Sequence, residues 1–363
     1  MKLKYFALAT CVAAAIAVPA QTSQRITAGK ASEYGLVYTL PVTALDITIE
    51  AELTHKVPGE FHNYARRNLS ISDAITAESR EARIVSVTIV PRGVPDDNNR
   101  WTARFKAGAT PYMILNEDNI PLAINTPDAA PAPRVTLPVA RKASPTPLET
   151  EAARQAITQE MARSSSVSKR AELAAQRIFE LRETRSDLLS GQADNTPPDG
   201  QAMKLVMDNL AAQEAALTAM FAGTTSVSTV VGTFTVLPDS SVTSRQVLAR
   251  LSVVDGLVDA DDLTGTPVYL DLSVLSEGQL PVNDKGEAKT FPKGGVAYNI
   301  PGTARAVVTY RNSTVADTEV PMAQLGITFG LDPALFADKK APSMVRFDSA
   351  TGGILLLGPA VIE

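Results

Sequence analysis

The alternation of apolar and polar residues predicts the first strong element of the chain, over residues 36–54. After Pro41, one side of an extended chain is apolar and the other is polar, which is typical of a half-buried β-strand. The two sides are Leu45, Ile47, Ile49, Ala51 and Leu53, against Asp46, Thr48, Glu50, Glu52 and Thr54. We therefore expect a strand with one face in a core.

The next segments predict a mostly β domain over 34–126. Phe61, Tyr64, Ala65 and Leu69 recur at helical spacing and indicate one short amphipathic helix. Residues 83–91 and 101–107 are predicted strands around the turn-forming sequence PDDNN, and 113–124 is a hairpin that turns near residues 117–119.

A change in composition marks the segment 127–147, which contains six prolines. Proline removes a backbone donor and disfavours helix, so we expect an extended linker. A part of this linker can still add an edge strand.

From 148 to 222 the period becomes helical. Segment 148–163 is amphipathic, and 168–189 is a helix that Gly191 ends. The next helix opens at Pro197 and Pro198, with Asp199 at the positive end of its dipole. The apolar stripes of the two long helices are Leu173, Ile178, Leu181 and Leu188, then Met203, Val206, Leu210, Leu217 and Phe221. They predict an antiparallel helical hairpin that needs a sheet or another chain as cover.

From residue 226 the period of two returns and predicts a second β-rich domain over 226–363. Turns near Asn312 and at Gly352 join strands into hairpins. The predicted strands are 226–237, 245–254, 266–275, 295–300, 303–311, 314–322, 343–347 and 353–357. The fold class is thus α+β and mainly antiparallel, with two sandwich-like β-rich domains joined by a proline-rich linker and a central helical hairpin.

The first 20 residues have the pattern of a signal peptide. Lys2 and Lys4 precede an apolar run that is too short to span a bilayer, and small residues end at Ala20. Lipidation of Cys11 is the alternative, but Cys11 lies in the middle of the apolar run rather than at its end. We expect an exported protein, in the periplasm or associated with the outer membrane.

Composition narrows the function classes. The formal charge is −5, with 45% hydrophobic and 20% charged residues, so the chain is globular and lacks the basic surface that nucleic acid requires. No later run predicts a transmembrane span. Cys11 is the only cysteine, so cleavage after Ala20 leaves no disulfide and no thiol nucleophile.

Several stretches, in order, resemble a family known as domain of unknown function 4831. They are YTLPVTALDITIEAEL with VPGEFHNYARRNLSISDAI, the central AAQRIFELRETRSDLLSGQADNTPPDGQAMKLVMDNLAAQEAALTAMFAG, and YNIPGTARAVVTY with VPMAQLGITFGL. The resemblance implies an exported protein of Gram-negative bacteria. It implies no activity and transfers no functional residue.

Candidate chemistry is sparse. His55 and His62 are the only histidines and lack metal-site spacing. The segment VVDGLVDADDLTG gathers carboxylates that suit calcium, although turn capping explains them as well. Its acidic residues are Asp255, Asp259, Asp261 and Asp262. Asp96 and Asp97 are a weaker candidate for calcium binding, and a hairpin loop explains them better.

Three function classes remain. The favoured hypothesis is a non-catalytic interaction or structural protein of the cell envelope, with another envelope protein as partner or self-association through helices 168–222. The second is a glycan-binding accessory protein that uses Trp101, Tyr112 and Tyr298 as stacking platforms. The third is a hydrolase with a carboxylate pair. The sequence assigns no catalytic residue and no cofactor.

Overall fold

The protein has an α+β fold in which antiparallel strands predominate, which confirms the predicted class. The computed structural model describes residues 35–103, 112–129, 136–193, 200–239, 245–337 and 341–360. The predicted signal peptide with Cys11 lies outside these residues, and so does the predicted helix start at 197–199.

Long strands supply most of the regular structure. The strands are β1 (Leu36–Val57), β2 (Ser79–Ala103), β3 (Met113–Leu115), β4 (Pro121–Ile124), β5 (Thr224–Val236), β6 (Gln246–Ser252), β7 (Gly256–Val258), β8 (Thr266–Ser276), β9 (Val296–Tyr310), β10 (Ser313–Leu331), β11 (Ser343–Phe347) and β12 (Ile354–Pro359). The helices are α1 (Ala65–Leu69), α2 (Glu151–Ala156), α3 (Gln159–Arg163), α4 (Val167–Ser190), α5 (Gly200–Ala222) and α6 (Ala334–Ala337). Short 3₁₀ helices at His62–Tyr64 and Pro147–Glu149 precede α1 and α2.

The strands form three antiparallel sheets, two of which combine strands from both β-rich segments. The first sheet has the order β2–β1–β5, the second β10–β9–β8–β6–β7 and the third β12–β11–β4–β3. β5 pairs with β1 along Leu45–Val57, and β11 pairs with β4 where Val345 meets Ile124. Segments 34–126 and 226–363 therefore complete each other's sheets.

The first two sheets pack face to face around a hydrophobic core. Of the five apolar positions predicted for the first strand, Leu45, Ile47, Ile49 and Ala51 are buried in it, and Leu53 is partly buried against it. They meet side chains of β6, β8 and β9, such as Leu251. The alternating pattern of 36–54 thus identifies the central strand of a sandwich.

A second core lies where the start of β1 meets the third sheet. Tyr38 and Leu40 are fully buried there with Val345 and Phe347 of β11. Tyr38 Oη donates to the carbonyl of Ala297 in β9 at 3.1 Å, and burial raises the pKa of the tyrosine hydroxyl. The hydroxyl is therefore a neutral donor that ties β1 to β9.

The sequence PDDNN forms a bulge within β2, so the predicted hairpin turn between separate strands at 83–91 and 101–107 is wrong. β1 and β2 pair on both sides of the bulge, and residues 96–99 lie opposite Leu40 alone. Asp96 Oδ1 accepts the amide of Asn98 at 3.0 Å. Turn-forming side chains stabilise a bulge in the same way as a hairpin loop, and the local sequence does not distinguish the two. Residues 104–107 of the predicted second strand lie outside the described residues.

A second bulge lies in β10, opposite a proline. β9 runs without interruption through Pro301, so the predicted division into 295–300 and 303–311 is wrong. Residues 323–326 of β10 arch past Pro301, between the pairs formed by Met322 and Ile327. Proline lacks an N–H, and here it lies where the ladder is already interrupted. β10 then continues to Leu331, beyond the predicted end at 322.

The other strand predictions are confirmed. β5, β6, β8, β11 and β12 lie within two residues of their predicted bounds. Asn312 and Gly352, in the two predicted hairpin turns, have φ values of 62° and 71°. The three-residue strand β7 is an addition, because it is too short to give a periodic signal.

The predicted helix at 148–163 is divided into a 3₁₀ turn, α2 and α3. Thr158 has an extended backbone, and its Oγ1 accepts the amide of Met161 at 3.2 Å. Ser166 Oγ accepts a hydrogen bond from the backbone amide of Lys169 at the start of α4. These side chains act as N-caps, and each one starts a new helix. The apolar pattern alone predicts a single helix over 148–163.

α4 and α5 form the predicted helical hairpin, and Gly191 ends α4 with a φ of 72°. Ile178 and Leu181 of α4 share a core with Leu217 and Phe221 of α5. The expected cover by a sheet is wrong for the described residues, because the rest of this core comes from α1, α2, α3 and nearby loops. Short helices supply enough apolar surface to cover the base of the hairpin.

Part of the proline-rich linker adds to a sheet edge, which was the alternative for this segment. Arg141 exchanges two backbone hydrogen bonds with Thr229 of β5, both 2.8 Å long. Linker residues 130–135 lie outside the described residues. The linker is thus attached to the first sheet at one point.

Replacing Asp46 by asparagine is expected to reduce the dependence of stability on acid pH. Arg92 of β2 and Thr235 of β5 each donate to the Asp46 carboxylate at 2.7 Å, and the Arg92 bond contributes most to lowering its pKa. The folded-state pKa lies below the unfolded value of about 3.9. The stabilisation is therefore full above that value and is lost as the pH falls through the folded-state pKa.

Melting temperatures of the wild type and Asp46→Asn should accordingly differ near neutral pH and converge as the pH falls through the folded-state pKa of Asp46. The matched variant Arg92→Gln should converge in the same way, because it removes the same ion pair. A gap that stays constant at every pH would contradict this linkage.

Candidate functional site

The proposed calcium ligands lie around β7, where two of them cap their own turns. Asp255, before β7, accepts the hydroxyl of Ser252 at 3.1 Å. Asp262, after β7, accepts the amide and the hydroxyl of Thr264 at 2.9 and 2.7 Å. The hydrogen bond from the backbone amide of Thr264 is the main reason that the pKa of Asp262 is lowered. These carboxylates stabilise the local backbone.

The remaining aspartates line an open pocket beside Asp262. This pocket is formed by Asp259, Asp261 and Asp262 with Leu257 and Val258. In the part of the chain that the structure describes, no three His, Cys, Asp or Glu side chains converge as metal ligands. The geometry supports turn capping, the other interpretation of this segment, and does not assemble the four aspartates into one ligand set.

The three aromatic residues considered as sugar platforms differ in access. Tyr298 is buried in the second core. The Trp101 indole stacks on Phe291 with 5.4 Å between ring centroids, and its Nε1 donates to Asn99 at 2.6 Å. Tyr112 is 48% exposed. One ring is therefore open to solvent, while the other two contribute to packing, and glycan binding stays a prediction.

His55 and His62 each have a separate local partner. His55 Nε2 lies 2.8 Å from Glu78 Oε1, and His62 Nδ1 donates to the carbonyl of Gly59 at 2.8 Å. The hydrogen bonds from His55 and then Arg80 lower the pKa of Glu78. Each imidazole is thus bonded to a different neighbour, and neither bonds to the other.

A cluster of polar side chains and backbone carbonyls, buried apart from one half-buried glutamine, lies where β1, β9, β10 and the β11–β12 loop meet. We call this group the polar junction, and its members are Thr43, Asn299, Gln324 and Thr351. Asn299 Nδ2 donates to the carbonyls of Pro41 and Thr351 at 3.0 and 2.8 Å. Thr43 Oγ1 donates to the carbonyl of Ala350 at 3.0 Å.

The bulge in β10 brings Gln324 into the polar junction. Its Oε1 accepts the amide of Thr43 at 3.0 Å, and its Nε2 donates to the carbonyls of Thr43 and Pro238, both at 2.9 Å. Bulges commonly redirect a strand side chain in this way. The bulge thus lets one glutamine bond to the backbone of a strand in another sheet.

The polar junction connects all three sheets through backbone groups. Thr43 belongs to the first sheet, Asn299 and Gln324 to the second, and Thr351 to the hairpin loop of the third. Buried backbone groups require partners, and these side chains supply them. The sequence did not reveal the junction, because single polar residues within apolar strands form no motif.

The outer half of the helical hairpin packs against its core only in part, through Leu210. We call this part the helical arm, which comprises residues 182–193 and 200–213. At its base, Arg182 and Arg185 of α4 contact the Glu214 carboxylate of α5 at 2.6 and 2.7 Å. Further out, Leu189 and Leu205 are 72% and 71% exposed. The arm is thus a braced helix pair with apolar side chains in solvent.

An open groove with acidic walls runs beside α4. Its lining includes Asn68, Glu172, Phe179, Glu180 and Glu183. Glu172 lies 3.9 Å from Lys169, and Glu180 lies 3.1 Å from Arg177. A glycosidase needs two carboxyl groups that face each other across a substrate, whereas these two acids have cationic neighbours on their own helix. The hydrolase hypothesis stays a prediction.

These features define an α+β protein with three antiparallel sheets, a buried polar junction and a projecting helical arm. The chain belongs to the family described as Domain of unknown function (DUF4831), whose model matches residues 34–355. This confirms the resemblance seen in the sequence. No curated protein and no solved structure matches the chain. Among the described helices, none has the length and apolar character needed to cross a membrane.

Proposed function

We propose that the protein is a non-catalytic interaction component of the cell envelope, which binds a protein partner through its helical arm. One observation carries this proposal: Leu205 and Val206 of α5 and Leu189 of α4 are exposed on the outer half of the helix pair. Exposed apolar residues on a defined helical surface are typical of docking sites.

The composition of α5 supports the same function. α5 contains three charged residues, Lys204, Asp208 and Glu214, whereas α4 contains nine. A helix with so few charges usually lies between other elements. In its outer half, from Gly200 to Gln213, every residue is exposed or half-buried, and Leu210 packs against the helical core. A partner that covers this half would give α5 the surroundings its sequence suits.

The body of the protein suits a scaffold. The polar side chains gathered in its interior bond to backbone groups of three sheets and hold them in fixed relation. A rigid body with an extended arm presents a docking surface at low entropic cost. The predicted signal peptide at 1–20 supports the cell envelope as the compartment.

Photo-crosslinking in intact cells tests this function. A photoreactive amino acid at Leu205 should form a reproducible adduct with a protein, because this side chain lies on the proposed docking surface. The matched control is the same substitution at Leu263, which is 79% exposed and lies away from the arm. Adducts are resolved by electrophoresis and identified by mass spectrometry.

The two positions give opposed outcomes. A defined protein adduct from the arm position and none from Leu263 supports the proposal. Absence of an adduct from the arm, or the same diffuse adducts from both positions, overturns it.

A further inference from the structure

We infer that the partner is a second copy of this chain, which pairs with the first through an antiparallel contact between the two α5 helices. This inference rests on the proposed function, since it names the occupant of the helical arm. The contact centres on the outer half of α5, between Asp208 and Asn209.

α5 has a second small and apolar face besides the one that meets α4. Leu205, Ala212 and Ala219 are seven residues apart, and Ala216 lies four residues after Ala212, so the four share one side of the helix. Ala216 and Ala219 are buried in the half of α5 that reaches the helical core, and α2 packs against the helix. Leu205 and Ala212 continue this face into solvent.

The exposed half of this face is complementary to itself. When two α5 helices run antiparallel about a twofold axis between Asp208 and Asn209, Leu205 of each copy lies opposite Ala212 of the other. A large side chain then faces a small one twice, which leaves room for each leucine to insert between side chains of the other helix. Because one patch supplies both the large and the small residue, the contact closes under twofold symmetry.

Charge also favours this arrangement. Outside Glu214, the charged residues of α5 are Lys204 and Asp208, which form an ion pair with each other. Asn209 Oδ1 accepts a hydrogen bond from Gln213 at 2.7 Å, and its Nδ2 can donate to Asp208 of the second copy. A polar pair at the centre of an apolar seam sets its register. A contact through α4 would instead bury several of that helix's nine charged residues.

The expected dimer is reversible. The segment from Gly200 to Gln213 is about 21 Å long, at about 1.5 Å per residue. A single helix pair of that length buries less than the roughly 1,200 Å² that stable interfaces need. We therefore expect a monomer–dimer equilibrium that depends on protein concentration and is favoured where the protein is concentrated in an envelope compartment.

Sedimentation velocity of the purified full-length protein tests the inference, over concentrations from roughly 1 to 500 µM. The wild type should shift from monomer to dimer. Leu205→Glu should raise the dissociation constant at least roughly tenfold, because it places two carboxylates in the apolar seam. Leu263→Glu is the control, since Leu263 is 79% exposed and lies in the loop after β7, outside the arm, and the dissociation constant of this variant should stay within about twofold of the wild type.

A disulfide trap tests the register. In a Cys11→Ser background, Asn209→Cys should form a covalent dimer under mild oxidation, because the two side chains lie beside the twofold axis. Ser186→Cys, exposed on α4, should not. A protein that stays monomeric throughout, or a dimer that Leu205→Glu leaves intact, overturns the inference. If the arm nevertheless crosslinks to a different protein in cells, the proposed function stands and only the second copy is excluded.

Discussion

Replacing Gly326 by alanine is expected to lower the free energy of unfolding by about 3 kcal/mol, at the upper end of overpacking effects. A Cβ atom at Gly326 would lie 2.0 Å from the carbonyl oxygen of Ile300 and 2.8 Å from Cα of Pro301. Both contacts are with backbone atoms, so no rotation of a side chain relieves them. The bulge that carries Gln324 would have to move away from β9. The hydrogen bonds of Gln324 in the polar junction would be distorted as a result.

Thermal and guanidinium unfolding, followed by circular dichroism, measures this effect. Gly358→Ala is the matched control, because Gly358 also lies in a strand but a Cβ there meets no atom within 4 Å. The control should stay within about 0.5 kcal/mol of the wild type. Equal stability of the two variants would show that β9 and β10 do not approach as closely as described.

Replacing Asn299 by alanine is expected to cost roughly 3 kcal/mol, because a buried acceptor left without a donor costs about 1–3 kcal/mol. The change removes the donors to the carbonyls of Pro41 and Thr351 and the acceptor for the Thr328 hydroxyl. Asn299 is buried, so water does not readily replace these bonds. The loss falls on the contacts that β9 of the second sheet makes with the first sheet and with the β11–β12 loop of the third.

Denaturant unfolding gives the size of this loss, and hydrogen exchange gives its location. The amides of Gly352 and Gly353, in the β11–β12 loop, should exchange faster in Asn299→Ala, since Thr351 loses its anchor. Asn63→Ala is the control, because Asn63 is exposed on a short helix. A loss below about 0.5 kcal/mol in Asn299→Ala would mean that the junction is not a determinant of stability.

The sequence predicts the elements of this fold better than their connections. The alternation around Ile47 identifies a core strand, and the glycine at 191 identifies the end of a helix, because both signals are local. The pairing of β1 with β5 is not local, since about 170 residues separate the two strands. No pattern within either strand names its partner.

Bulges explain the main errors in the strand predictions. Asp96 and Asn98 are residues that favour a turn, and Pro301 lacks the N–H that a strand interior uses. All three nevertheless lie within continuous strands. Pairing on both sides of each bulge maintains the strand despite the local preference. The information that decides these cases lies in the opposite strand.

The functional region could be predicted in part. The helical hairpin is evident from the apolar stripes that include Leu181 and Leu217. The small number of charged residues in α5 is also visible in the sequence. Which half of the hairpin is covered could not be predicted, because the cover comes from the short helices before α4. The polar junction could not be predicted either, because Thr43 and Asn299 meet only through the packing of sheets.

The order in which the strands become available has a consequence for biogenesis. A ribosome releases Leu36–Val57 long before Thr224–Val236, and Pro121–Ile124 long before Ser343–Phe347. Until the last hairpin emerges, the nascent chain presents apolar strands with unpaired edges, which is a state prone to aggregation. We expect folding to be late and slow and to depend on a holding chaperone, whatever the stability of the finished molecule.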